Sequence, residues 1–171
     1  MKIARILLLL ALPLSMAAIS SARAGSAPEA GWRGWNRGLS EAAATGRPIL
    51  VDVYTNWCGW CKRMDADVYA RDDVREYLSR HFVTVRLNAE GLDEVRFEDH
   101  TYNSRGLAQR FHVSSYPTTV FLKPNGEHIV SVPGYVPADR FKLMLRYIGE
   151  DHIGRGVKWS DFEKRAAAPP R

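Results

Sequence analysis

Cysteine is scarce in this chain, with two in 171 residues. Two cannot build a disulfide-dense mini-scaffold, and they cannot supply a four-cysteine zinc or iron-sulfur site. Charge of one sign is never concentrated. The formal net charge is +5, yet no run of five or six like residues occurs, so there is no footprint for nucleic-acid binding. Long apolar runs are missing too, since the longest, Ile6 to Ala18, is broken by Pro13 and Ser15 and falls short of the roughly 20 residues a spanning helix needs. The five histidines stand far apart without ligand-like pairing, so no metal is expected. Covalent haem is excluded because Lys62, not histidine, follows the second cysteine. What the chain does have is 46% apolar residues and five tryptophans, a composition for one globular domain rather than a disordered or collagen-like chain.

The basic excess sits mostly at the start. Lys2 and Arg5 precede Ile6-Leu7-Leu8-Leu9-Leu10-Ala11-Leu12, and the segment ends in Ala22-Arg23-Ala24, which reads as a secretory signal peptide over 1–24. No cysteine lies near the cleavage point to carry a lipid, so no permanent membrane anchor is expected. The leader holds three basic residues and no acidic one, so the remaining 21 basic side chains exceed the 19 acidic ones by two. The expected organisation is a linker over 25–35, a domain over 36–150, and an extension over 151–171 with a short helix and a flexible tail.

Export gives the cysteines their meaning, because disulfides persist outside the cytosol. They form Cys58-Gly59-Trp60-Cys61. As a staple such a short loop yields only on the order of 2 kcal/mol, against about 3 for fifteen residues, so the pair makes a switch more readily than a brace. Upstream, Ile49-Leu50-Val51-Asp52-Val53-Tyr54 reads as a strand buried on both faces. Asp52 in its middle is then a carboxylate in an apolar setting with a raised pKa, held there either for chemistry or by local hydrogen bonds. Thr55-Asn56-Trp57 turns the chain, and the cysteines open a helix through Met64 and Val68, with a second segment bearing Val74, Tyr77, Leu78 and Phe82. A helix N-terminus favours thiolate over thiol, which makes Cys58 the natural nucleophile. Lys62 adds positive potential there or is simply solvated.

The remaining pattern is α/β. Val83, Val85 and Leu87 alternate with polar residues as in a strand with unequal faces, and the charged stretch Ala89 to Asn103 reads as a surface loop. Ser104 to Phe111 reads as a short helix, Pro117 to Lys123 as a strand, and Pro124-Asn125-Gly126 as the turn into an antiparallel partner, His128 to Val132. Pro137-Ala138-Asp139 starts a helix with Phe141, Met144, Leu145 and Ile148 on one face, and Ser160 to Glu163 resembles a capping box for one more short helix.

Asp52, Trp57-Cys58-Gly59-Trp60-Cys61-Lys62, Tyr116-Pro117-Thr118 and Gly134 together resemble the thioredoxin superfamily, over about residues 36 to 150. The flavour is that of exported thioredoxin-like proteins and of the soluble thioredoxin-like domain of membrane thiol:disulfide interchange reductases, which also carry a Trp and an Ala-rich helix before Gly-Arg/Lys-Pro, as Trp35, Ala42 to Ala44 and Gly46-Arg47-Pro48 do here. The resemblance implies a thioredoxin-like α/β fold, with a central mixed sheet of four to five strands flanked by helices. It implies Cys58 as nucleophile and Cys61 as the more buried, resolving thiol. Asp52 is implied as proton acceptor, directly or through a water, and Trp57 as packing beside and shielding the cysteines. Pro117 is implied to be a cis-proline in a substrate groove with Trp60, Ser115, Tyr116 and Gly134. No cofactor is implied beyond the redox-active pair itself. The implied partners are disulfide-bearing exported proteins and a membrane electron donor of the thiol:disulfide interchange type. The Gly59-Trp60 dipeptide departs from the Gly-Pro of cytosolic thioredoxins and the Pro-His of strong periplasmic oxidants, which leaves the direction of electron flow open. Two other readings stand beside a reductase: a binding module with permanently oxidised cysteines, and a thiol donor for cytochrome c maturation.

Overall fold

Strand β1 (Ile49–Tyr54) is the element around which the others are placed. Five of its six residues are buried, as an apolar, β-branched segment covered on both faces must be. The structure, a computed structural model, describes residues 31–168. The expected leader, residues 25–30 of the linker and the last three residues of the tail lie outside the described residues.

The sheet has the order β2-β1-β5-β6, with β2 spanning Val83–Asn88, β5 Thr118–Leu122 and β6 His128–Pro133. β1 and β2 run parallel, with Asp52 opposite Arg86, while β5 is antiparallel to β1, with Thr119 opposite Asp52. β6 pairs antiparallel with β5 through the expected hairpin and forms the sheet edge. The fold is thus the α/β thioredoxin-like type, with a mixed four-stranded sheet.

Alternation along β1 divides the core in two. Ile49, Val51 and Val53 join Val83, Val85 and Leu87 under α1 (Trp35–Thr45) and α4 (Ser104–Arg110), whose Ala42, Leu107 and Ala108 fill that face. Leu50 points the other way, into a cluster with Met64 of α2 (Gly59–Met64), Leu78 of α3 (Asp72–His81) and Phe141 and Leu145 of α5 (Ala138–Gly149). Between α2 and α3 the helix widens to a π-turn over Asp65–Tyr69. Such turns are frequent at functional sites, because the extra residue re-aims the side chains around it.

Two expectations fail. The stretch 89–103 is not a surface loop throughout, since Glu94–Phe97 (β3) and His100–Asn103 (β4) form an antiparallel hairpin. Val95 and Phe97 are buried in the α1 face of the core, and two apolar residues among charges were too short a period-2 signal to read. The hairpin is bound to α1, with Trp35 Nε1 donating to Arg96 O at 2.8 Å and Asn36 both donating to Glu94 O (3.1 Å) and accepting from Arg96 N–H (2.9 Å). Within the expected linker, Arg33 bridges to Val85, and Trp35 is the first residue of α1. Finally, Ser160 caps nothing. α6 (Trp159–Ala167) begins after Lys158 without a side-chain cap, because Trp159 is drawn in to pack edge-on against Tyr147, with ring centres 5.2 Å apart. α6 is the expected short helix of the extension and runs through Ala167.

Candidate functional site

The turn after β1 delivers Cys58 to the start of α2. Its N–H donates to Thr55 O at 3.2 Å, and it occupies the N-cap with extended backbone angles. The position normally held by a serine or aspartate oxygen is held by sulfur, and Cys58 Sγ accepts from Cys61 N–H at 3.0 Å. Once reduced, a sulfur placed there has an amide N–H to stabilise its thiolate. Cys58 and Cys61 are disulfide-bonded, with Cα atoms 5.3 Å apart. The expected difference in their burial is absent, at 4% exposure for Cys58 and 6% for Cys61, because one disulfide buries both sulfurs together. What distinguishes Cys58 is its cap position.

Around the pair the structure gathers aromatic and loop residues. Trp57 is 66% exposed. Its indole donates to Glu90 Oε1 at 3.0 Å and meets Tyr116 edge-on at 5.9 Å, which turns it outward as a rim. Trp60, 56% exposed, packs against Tyr135 at 5.6 Å. The Tyr116–Pro117 peptide is cis, and Pro117 O accepts from Gly134 N–H at 2.7 Å, joining the loop before β5 to the loop after β6. Gly134 sits at φ 85°, a conformation glycine adopts without the Cβ penalty of other residues. Ser115 is exposed, and its carbonyl accepts from Thr118 Oγ1 at 2.7 Å. Lys62 is exposed as well.

Asp52 is 2% exposed, and burial pushes its carboxyl up to about 7, against the opposing pull of Arg86 and with a smaller push from Asp65. Oδ2 lies 3.3 Å from Arg86 Nε, and Oδ1 has no hydrogen-bond partner among the described residues. No hydrogen bond joins Asp52 to either sulfur of the disulfide.

The surroundings of Asp52 were not anticipated. Arg86 bridges Asp52 to Asp65, the first residue of the π-turn. The guanidinium lies over Trp32 at 4.7 Å and Tyr54 at 5.5 Å, so aromatic faces hold it while it serves both carboxylates. Tyr69, also on the π-turn, is buried, and its hydroxyl is 3.4 Å from Thr119 Oγ1. Its pKa is raised by burial and then by Asp52. One signal for this cluster was present, a cationic residue on the strand following one that buries an aspartate. The registers that align Asp52 with Arg86 and Thr119, and the π-turn that brings up Asp65, were not readable. Among the described residues no group of three or more His, Cys, Asp or Glu is placed to hold a metal ion, and no helix is long and apolar enough to cross a membrane.

Comparison with known proteins places this geometry. Residues 35–149 match the family model described as a thioredoxin-like domain. The thiol:disulfide interchange protein DsbD of Ralstonia nicotianae is 32% identical over 107 residues, 61% of this chain but 16% of that protein. Thioredoxin-1 of Drosophila melanogaster is 35% identical over 101 residues, covering 59% of this chain and 77% of that one. A solved thioredoxin-fold protein from Helicobacter pylori superposes with a TM-score of 0.63 at 26% identity, over 70% of this chain and 80% of that one.

Proposed function

The chain belongs to the thioredoxin-like domain family, and on that premise we propose that it is an exported thiol:disulfide oxidoreductase working as a reductase of partner-protein disulfides in the periplasm. The observation that carries this reading is the cysteine pair at the start of α2, with Cys58 Sγ on an N-terminal amide and a buried carboxylate titrating near neutrality in the adjoining strand.

In the reduced protein, Cys58 thiolate attacks one sulfur of a partner disulfide. A Cys58–partner bond forms, the partner's S–S bond breaks, and its second sulfur leaves as a thiolate. Cys61 gives up its proton toward Asp52, through an intervening water, and its thiolate attacks Cys58 sulfur. The Cys58–Cys61 bond forms, the partner leaves with both sulfurs reduced, and the two electrons have passed from this chain to the partner. An upstream dithiol of the thiol:disulfide interchange type restores the Cys58 and Cys61 thiols. The loops bearing Ser115, Tyr116, Pro117 and Gly134 offer backbone to the partner chain, with Trp57 and Trp60 as apolar flanks. No cofactor enters these steps.

The test is reduction of insulin disulfides together with client trapping. Wild type is expected to turn over insulin with dithiothreitol as donor, Cys58→Ser to be inactive, and Cys61→Ala to accumulate mixed disulfides with exported proteins. A reduction potential of about −120 mV, the value of a strong oxidant, would overturn the reductase direction.

A further inference from the structure

Beyond the exchange site lies a cleft of about 430 Å³ between the edge strand β6, helix α5 and the C-terminal extension. Its walls include Val132, Tyr135, Met144, Tyr147, Ile153 and Trp159. The volume falls within the roughly 300–1,000 Å³ of ligand sites, and the lining is almost wholly apolar. Ile153 and Trp159 stand beyond the 35–149 span of the family match, so the extension completes a wall that the shared fold does not supply.

We infer that this cleft is a specificity subsite that receives large aliphatic or aromatic side chains of the partner polypeptide near its reacting disulfide. The inference rests on the exchange reading and names the kind of partner that reading takes. Three observations select such an occupant. First, the cleft is continuous with the exchange site, because Tyr135 both lines it and packs against Trp60, two residues from Cys58, while the adjacent Gly134 is tied to Pro117. A chain bonded to Cys58 and extended past Trp60 therefore meets the cleft next. Second, the cleft offers few polar groups to orient a polar ligand. Its one charged wall residue, Arg140, is paired with Glu163 at 3.4 Å and lies over Trp159 at 5.9 Å, and the Tyr147 hydroxyl donates to Val157 O. Third, of the strongly exposed large apolar side chains of the described residues (Trp57, Trp60, Leu92 and Ile153), Ile153 lines the cleft and Trp60 packs on its wall residue Tyr135. Apolar surface gathered in one place marks an interaction face.

The test uses two synthetic peptides, each closed by one disulfide and identical except that Leu-Phe beside one cysteine is replaced by Ser-Ser. Wild type is expected to reduce the Leu-Phe peptide with about tenfold higher kcat/KM. Trp159→Ala should remove most of that preference, and Ile153→Ser, at an exposed position where folding is not at risk, should lower it about threefold. Both variants should reduce the Ser-Ser peptide and a small aromatic disulfide as wild type does. Equal rates on the two peptides in wild type, or an equal loss on both in the variants, would overturn the subsite. A redox-independent arm titrates the Cys58→Ser/Cys61→Ser protein with cysteine-free versions of the peptides by tryptophan fluorescence. Saturable binding of the Leu-Phe form alone supports the subsite even if wild type reduces neither peptide, in which case the exchange reading has failed by itself. Turnover of both peptides without such binding sinks the subsite and leaves the exchange reading standing. Concentration-dependent dimerisation that Trp159→Ala abolishes, with no peptide binding, would assign the cleft to a second copy and overturn the inference.

Discussion

Asp52 is held between charges of opposite sign, and its proton affinity is the sum of what they do. Burial raises its pKa, Arg86 lowers it and Asp65 raises it, with a net value of about 7. Replacing Arg86 with methionine keeps the aliphatic stem against Trp32 and Tyr54 but removes the guanidinium, so the Asp52 pKa should rise further. Asp65→Asn removes the neighbouring negative charge and should lower it. If Asp52 is the acceptor for the Cys61 proton, the midpoint of the pH–rate profile of disulfide reduction moves to higher pH in Arg86→Met and to lower pH in Asp65→Asn. Opposite displacements are a sharper outcome than a loss of rate, since misfolding slows turnover without moving the midpoint in two directions. Movement in the same direction, or in neither, would remove Asp52 from the proton path. At this scale the sequence was informative about Cys58, Cys61 and Asp52, whose residue types and spacing single them out. It said little about Arg86, Asp65 and Tyr69, because their partnership depends on strand register and on a π-turn that no short pattern announces.

Elements were legible where a full period was present and illegible where tertiary contact supplied the order. β1, α3 and α5 each repeat an apolar pattern over six or more residues, and each stands where the pattern placed it. The β3–β4 hairpin has two buried apolar side chains on one short strand and is held by the polar hooks of Asn36 and Trp35 from 60 residues away in sequence. Its order therefore depends on α1. Asn36→Ala breaks two hydrogen bonds to the hairpin backbone, each worth about 0.5–1.5 kcal/mol net. The expected result is faster amide exchange confined to residues 94–103, with β1 and β5 still protected. Uniform acceleration across the sheet would show that the hairpin and the sheet open together.

At the scale of the whole molecule, the buried carboxylate links stability to pH. Asp52 titrates at about 7 in the folded protein against 3.8 in the unfolded chain, so between those values the folded state holds a proton that the unfolded state has released. Unfolding then gives up a proton, and stability falls as pH rises. The contribution is fully present below about pH 4, declines through the window, and is lost above about pH 7. At about 1.4 kcal/mol for each unit of pKa difference, the ceiling is about 4 kcal/mol. Asp52→Asn places a neutral amide in the same volume and leaves Arg86 its bond to Asp65. Urea unfolding should therefore find the variant close to wild type at pH 4 and more stable at pH 8 by a few kcal/mol, with a flatter pH profile between. The same variant should accumulate mixed disulfides, because the Cys61 proton has lost its acceptor. Gained stability with lost resolution would mark Asp52 as a group kept for chemistry at a cost to the fold; a variant less stable than wild type at both pH values would make it a structural carboxylate satisfied by Arg86.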